Sequence, residues 1–349
     1  MARTIHLCRT ILAGALCLPG LVTSTSPAAE RHAAAAIASQ SFRISTAHSS
    51  ASQPLEISLD WSKQQPRITR AAIVFHGVGR DVEGYYRALQ DAAQQAGQAA
   101  RDTILIAPQF LDEEDIREHH LPADVLRWRR VAWEGGAPAV KPSPISSYEV
   151  VDALLRRLAD RALFPNLKTV VLIGHSGGGQ LVQRYAVVGL AAAALAGAGI
   201  HLRYVVANPS SYLYFSSDRP ASPGGANCRG FDRWKYGPID PPAYVTLDTA
   251  NTWPQREASY AQRDVLYLLG AADIDPHEKD LDTSCEAEAQ GPTRFVRGQA
   301  YFAYLHARHP SGWNQRMWFV PGVAHSGHKM IASTCGVNAL FDVGACPDQ

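Results

Sequence analysis

Thr169-Val-Val-Leu-Ile-Gly174-His175-Ser176-Gly177-Gly178-Gly179 is the stretch whose reading decides the fold. Its first five residues form a continuous apolar or β-branched run, the pattern of a strand covered on both faces. A long Ala/Leu-rich stretch follows at once and reads as a helix near 177–196. Between the two, a serine occupies the tip of a strand-to-helix turn, with glycine two residues before it and two after. A turn that tight leaves little room for neighbouring Cβ atoms, and the glycines relieve the crowding. It also exposes Ser176 Oγ at a helix N-terminus, where unpaired N–H groups and the macrodipole favour developing negative charge. A Gly-rich phosphate loop is the competing reading, and it lacks the Lys-Ser/Thr ending such a loop needs.

Outward from this turn, further apolar runs bounded by turn residues alternate with helical patterns. Strands are expected at 71–75, 103–107, 203–207, 265–269 and 317–320, and helices near 84–96, 146–162, 297–308 and 326–333. That alternation implies an α/β architecture, a mostly parallel central sheet with helices on both faces. Residues 41–45 and 55–59 read as an antiparallel pair of edge strands. Two segments break the rhythm. Residues 208–262 are rich in Pro, Gly and aromatics without a helical or strand period, and 273–296 are polar with one Cys. Both read as long cap-like insertions above the C-terminal edge of the sheet, where ligands bind in open α/β folds.

The strand–turn–helix around Ser176 resembles the nucleophile turn of the α/β-hydrolases, and the match extends over roughly residues 70 to 330. Phe75-His76-Gly77-Val78-Gly79 follows a strand at the place where that fold supplies an oxyanion-hole N–H. The resemblance therefore implies the backbone N–H groups of Val78 and Gly177 as oxyanion donors. It implies an acid after the strand 265–269, where Gly270-Ala-Ala-Asp273-Ile-Asp275 offers Asp273, with Asp275 as the competitor. It implies a histidine after the last strand, where Pro321-Gly-Val-Ala-His325-Ser-Gly-His328 offers His325 ahead of His328. The chain order Ser176, Asp273, His325 is the order of this fold. The expected activity is carboxylic ester hydrolysis through an acyl-enzyme, and the alternatives are a peptidase, a thioesterase or a non-catalytic binding protein on the same fold. Secreted polyhydroxyalkanoate-depolymerase-like and feruloyl-esterase-like enzymes look most similar. The substrate is then a small-molecule or polyester ester, with no cofactor and no metal. Tyr212, Tyr214, Phe215, Trp234, Tyr236, Trp253 and the segment 208–211 are candidates to line its pocket or to pin the insertion to the body.

At the N-terminus, Arg3 and Arg9 precede an apolar run to Val22, with small residues at Ser26, Ala28 and Ala29. This reads as a signal peptide over 1–28, too short in its apolar part to span a bilayer stably. An unstructured lead-in over 29–40 and a single domain over 41–349 follow from it. Removing 1–28 takes away two cations and two of six cysteines, turning the net charge of +1 into −1 and leaving Cys228, Cys285, Cys335 and Cys346. An even count in an exported chain predicts two disulfides, with Cys228–Cys285 and Cys335–Cys346 favoured among three pairings. Cys17 does not make a lipoprotein site, because Leu16 stands where a small residue is needed. The charge balance, 33 Lys+Arg against 32 Asp+Glu with no basic block, excludes a nucleic-acid partner. A secreted or periplasmic location is expected.

Overall fold

In the computed structural model, residues 1–2, 32–46, 49–220 and 228–346 are described, so the expected signal peptide lies outside the described residues apart from its first two. Among the described residues ten strands occur in chain order: β1 (Gln40–Ser45), β2 (Ser50–Ile57), β3 (Arg70–Phe75), β4 (Thr103–Pro108), β5 (Leu111–Asp112), β6 (Arg127–Trp128), β7 (Thr169–His175), β8 (His201–Ala207), β9 (Asp264–Gly270) and β10 (Gln315–Val320). Eight of them form one sheet in the order β1-β2-β4-β3-β7-β8-β9-β10, and β5 and β6 pair separately. The six strands from β4 to β10 in that order run parallel, while β1 and β2 pair antiparallel with each other and β2 pairs antiparallel with β4. Each strand expected from the apolar runs has a counterpart, and in the antiparallel edge pair β2 lies at Ser50–Ile57 rather than at the expected 55–59.

The helices are α1 (Val82–Ala96), α2 (Glu113–Glu118), α3 (Ser147–Ala159), α4 (Gly177–Val188), α5 (Ala192–Gly197), α6 (Ala243–Thr246), α7 (Trp253–Ala261), α8 (Cys285–Glu288), α9 (Arg294–Arg308), α10 (Gly327–Ile331) and α11 (Thr334–Phe341). They cover both faces, and the alternation along each strand divides the core in two. Ala71, Ile73, Phe75, Val170 and Leu172 pack with Leu154, Leu181 and Tyr185 of α3 and α4. Ala72, Val74, Val171 and Ile173 pack on the other face with Leu89, Met330 and Leu340 of α1, α10 and α11. A strand that must be apolar on both faces reads as an unbroken apolar run, which is why period-two alternation is absent from the sequence.

Several expectations need correction. The helix expected over 177–196 is two, because Gly189 takes an extended conformation (φ −63°, ψ 134°) and breaks the backbone ladder between α4 and α5. The 208–262 segment is not without helix: α7 starts with Thr252 as a capping-box residue and Pro254 in its first turn. Residues 33–39 carry no regular structure, but they are not a loose lead-in. Ala34 N donates to Asp115 Oδ1 (2.7 Å) and Ala38 N to Gln109 Oε1 (2.9 Å), so side chains distant in sequence satisfy this backbone. Ala33–Gln349 form one compact unit. Both favoured disulfides are present, Cys228–Cys285 joining the two insertions and Cys335–Cys346 closing the C-terminal turn. Among the described residues no helix is long and apolar enough to cross a membrane.

β3 and β7 are neighbours at the point where the chain switches from building the sheet in one direction to building it in the other. Loops leaving such a point diverge and open a crevice at the C-terminal ends of the strands. Packing there is close enough to demand glycine: a Cβ on Gly174 would lie 2.1 Å from Gly178 O. We predict that Gly174→Ala costs about 3 kcal/mol or more, as overpacking against backbone does. Thermal unfolding followed by circular dichroism checks this, and an unchanged Tm contradicts it.

Candidate active site

Ser176 sits on the turn from β7 into α4 with φ 58° and ψ −120°, a conformation that a residue with a Cβ rarely adopts. The turn persists because its surroundings over-determine it. Ser176 N donates to Ala207 O of β8 (3.0 Å), and the backbone of Gly178 passes so near β3 that a Cβ there would lie 2.2 Å from Phe75 O. The hydroxyl is thereby held at the C-terminal edge of the sheet, above the switch point.

β10 ends in the small-residue loop that carries His325, and β9 ends in the loop that carries Asp273. His325 Nε2 lies 2.9 Å from Ser176 Oγ, and His325 Nδ1 lies 2.8 Å from Asp273 Oδ2. The same Asp273 oxygen accepts from Asn208 Nδ2 at 2.7 Å. A carboxylate oxygen with those partners only accepts, so Nδ1 carries the proton and Nε2 is left to accept from the serine hydroxyl. Asp275 is exposed and accepts from His277 N in its own loop. His328 is in α10 and pairs with Asp91 on the surface (2.8 Å). The structure thus brings Ser176, His325 and Asp273 together and leaves both competitors outside.

Val78 and Gly177 also meet. A Cβ on Gly177 would lie 3.3 Å from Val78 Cγ1, and among the described residues neither N–H has a protein acceptor. The turn bearing Val78 is anchored on both sides. His76 Nδ1 donates to Gly77 O (2.8 Å) and its Nε2 accepts from Phe110 N (2.9 Å), so one neutral tautomer fills both bonds. Arg80 Nε lies 2.7 Å from Asp115 Oδ2.

Several residues of this site have roles that the sequence did not indicate. Asn208, expected among pocket-lining residues, instead ties β8 to the acid: its Oδ1 accepts from Gly270 N (2.9 Å) while its amide holds Asp273. Arg294, fully buried at the start of α9, puts Nη1 3.6 Å from Asp273 Oδ1 and bonds Ser210 Oγ and Glu278. Ser211 is likewise consumed by Arg184 and Gln180. His175 packs at a tilt against His325 with ring centroids 4.5 Å apart, and Tyr85 OH is 2.8 Å from its Nδ1. Glu134, buried on a short 3-10 turn at Ala132–Gly135, approaches Gly177. Of the expected aromatics, Tyr212 and Tyr214 are fully buried against Tyr301 of α9, pinning the insertion to the body.

No protein-family model and no curated protein matches this chain. Solved structures do. A poly(aspartic acid) hydrolase from Sphingomonas sp. KT-1 superposes with a TM-score of 0.59 at 19% identity, over 86% of this chain and 98% of its own. A poly(3-hydroxybutyrate) depolymerase from Bordetella parapertussis superposes at 0.55 with 22% identity, over 85% and 86%. The chain has the α/β-hydrolase fold. Its eight-stranded, mostly parallel sheet and flanking helices are those of the α/β-hydrolases, in agreement with the resemblance read from Ser176 and its flanks.

Around this candidate site, two buried imidazoles have a predictable dependence on pH. Burial, the largest cause, takes His76 down to about 4 from an ordinary value near 6.5, and burial followed by the charges of His325 and Arg294 takes His175 well below its usual range. A folded-state value below the unfolded one means that protons bind the unfolded chain preferentially, so stability is full above about 6.5 and is lost as pH falls toward 4. For His76 alone the loss reaches roughly 3 kcal/mol. Urea unfolding between pH 7.5 and 4.5 should therefore give a flatter stability profile for His76→Gln than for the native chain. Parallel profiles contradict it.

Proposed function

We propose that this protein is an exported serine hydrolase that cleaves carboxylic esters through a covalent acyl-enzyme. The observation that carries the reading is the unbroken chain Ser176 Oγ···His325 Nε2 (2.9 Å) and His325 Nδ1···Asp273 Oδ2 (2.8 Å), set at the C-terminal edge of a hydrolase fold. His325 accepts the Ser176 proton as Oγ attacks the ester carbonyl. Asp273 keeps the imidazole in the tautomer that can accept and stabilises the imidazolium that results. The N–H groups of Val78 and Gly177 donate to the oxyanion, a charge that exists only in the transition state and is worth about 2.7–4 kcal/mol per donor. His325 then returns the proton to the departing alcohol, and water activated by the same residue releases the acid. Export rests on the basic and apolar N-terminal sequence and on the two disulfides, which persist in an oxidising compartment.

The substrate class, an ester with polyesters included, is supported by the poly(3-hydroxybutyrate) depolymerase among the similar structures. The other similar structure is named a poly(aspartic acid) hydrolase, so both are named for polymeric substrates. Turnover on matched ester, thioester and amide substrates separates the esterase from a thioesterase or peptidase, with the ester expected to be fastest.

A fluorophosphonate should label the native chain at Ser176, and Ser176→Ala should lose both labelling and esterase activity. Retained activity in that variant overturns the enzyme reading, and a protein that is never labelled favours a binding role. Asp273→Asn should lower kcat roughly a thousandfold or more by fixing the wrong tautomer, whereas Asp275→Asn should stay within about twofold. A larger loss at Asp275 contradicts the assignment.

A further inference from the structure

Glu134 is almost fully buried, 1% exposed, and lies against the proposed oxyanion donor. A Cβ on Gly177 would sit 2.6 Å from Glu134 Oε1, and that oxygen has no hydrogen-bond donor among the described residues. A bare carboxylate is the wrong charge to place beside a site that must stabilise an alkoxide. Its other oxygen is engaged, however: Glu134 Oε2 accepts from Gln180 Nε2 (3.0 Å) and from Lys235 Nζ (3.1 Å). Gln180 is neutral and belongs to α4, so among the described residues the cation hydrogen-bonded to this carboxylate is Lys235, contributed by the long insertion, while Arg184 interacts with Glu134 through charge alone.

Lys235 is held there by its neighbours rather than by its own flexible side chain. Trp234 Nε1 donates to Gly135 O (2.7 Å), next to Glu134, and Arg184 Nε donates to Lys235 O (2.9 Å). Tyr236 OH donates to Asp282 Oδ2 (2.7 Å), whose second insertion is tied to the first by Cys228–Cys285. Asp282 Oδ2 is also 3.6 Å from Lys235 Nζ, so the ammonium is set between two carboxylates at a site one-quarter exposed or less. Glu134 itself is shielded from water, so its charge is weakly screened and is felt at nearby reacting atoms.

Resting on the serine-hydrolase reading above, we propose that Lys235 is a positioning residue of the reaction: it cancels the charge of Glu134 beside Gly177 and so preserves the oxyanion site. The insertion then contributes to turnover through one cation as well as through its bulk. Removing the ammonium leaves Glu134 opposing the oxyanion, which penalises the transition state and not the neutral ground state. The loss therefore falls on kcat, with KM little changed. Neutralising Glu134 in the same molecule removes the opposing charge and restores the rate, an outcome that a purely structural clamp does not give.

The test measures kcat and KM on a p-nitrophenyl ester for Lys235→Met, Lys235→Arg and the double variant Lys235→Met/Glu134→Gln, each checked for a native unfolding transition. Lys235→Met should lose about 30-fold in kcat with KM within about twofold, and both the Arg variant and the double variant should recover at least about tenfold of that loss. If Lys235→Met does not fold, Lys235→Gln takes its place with the same expectations. A full kcat in the neutral variant overturns the proposal, and so does a double variant as slow as the single one. Fluorophosphonate labelling of the native protein at Ser176 runs alongside. Its absence would overturn the esterase reading itself, while labelling and native turnover with no effect at Lys235 would overturn only this inference.

Discussion

The close approach of α4's first turn to the ends of β3 and β8 is the constraint on which the rest of this structure depends. Side-chain atoms do not fit there: a Cβ on Gly178 would lie 2.2 Å from Phe75 O, and one on Gly179 would lie 2.6 Å from Ala207 O. Because these backbones touch, Ser176 is forced into its positive-φ turn at the top of the sheet, and the Val78 turn leaving β3 is brought beside Gly177. The energy of the strained residue is offset by the sheet, whose central strands are buried on both faces. A looser turn would separate the hydroxyl from both the imidazole and the N–H pair, and misplacements of that order are enough to lose most of the rate such a site can supply.

Around that turn, polar side chains drawn from distant segments fix the groups that the sheet alone would leave loose. Asn208 ties the end of β8 to the acid after β9, Arg294 reaches the same acid from α9, and His175 lies under the imidazole from β10. Three strand ends thus share one network. The two long insertions are joined to it, by a disulfide on the outside and by Lys235, Arg184 and Tyr236 within. They bury aromatic rings against α9 and carry charge toward Glu134, so they act as buttresses of the body.

The sequence made the sheet legible because buried parallel strands leave a plain mark, an unbroken apolar run between turn residues, and β3, β4 and β7–β10 all bear it. Ser176 was legible for a related reason, since its flanking glycines answer a local steric demand. Asp273 and His325 were reachable through the chain order and loop pattern of a known fold, with Asp275 and His328 left as nearby competitors. What escaped the sequence is what depends on distant partners. Residues 33–39 are ordered by Asp115 and Gln109, far along the chain. Arg294, Glu134 and Lys235 have no local pattern that distinguishes them from ordinary loop or helix residues, and Asn208 reads as pocket lining, not as the partner of the acid. Helix α7 was hidden in the aromatic insertion, where packing and a capping box override a weak period, and the break at Gly189 was masked by the Ala-rich stretch on either side.

The central claim is that Ser176, His325, Asp273 and two backbone N–H groups form one preorganised reaction centre. It is tested most directly by a crystal structure of the protein after reaction with a phosphonate ester. Phosphorus should be bonded to Ser176 Oγ, with its anionic oxygen about 2.7–3.1 Å from the N atoms of both Val78 and Gly177. An adduct at another residue, or an oxygen turned away from that pair, would contradict it.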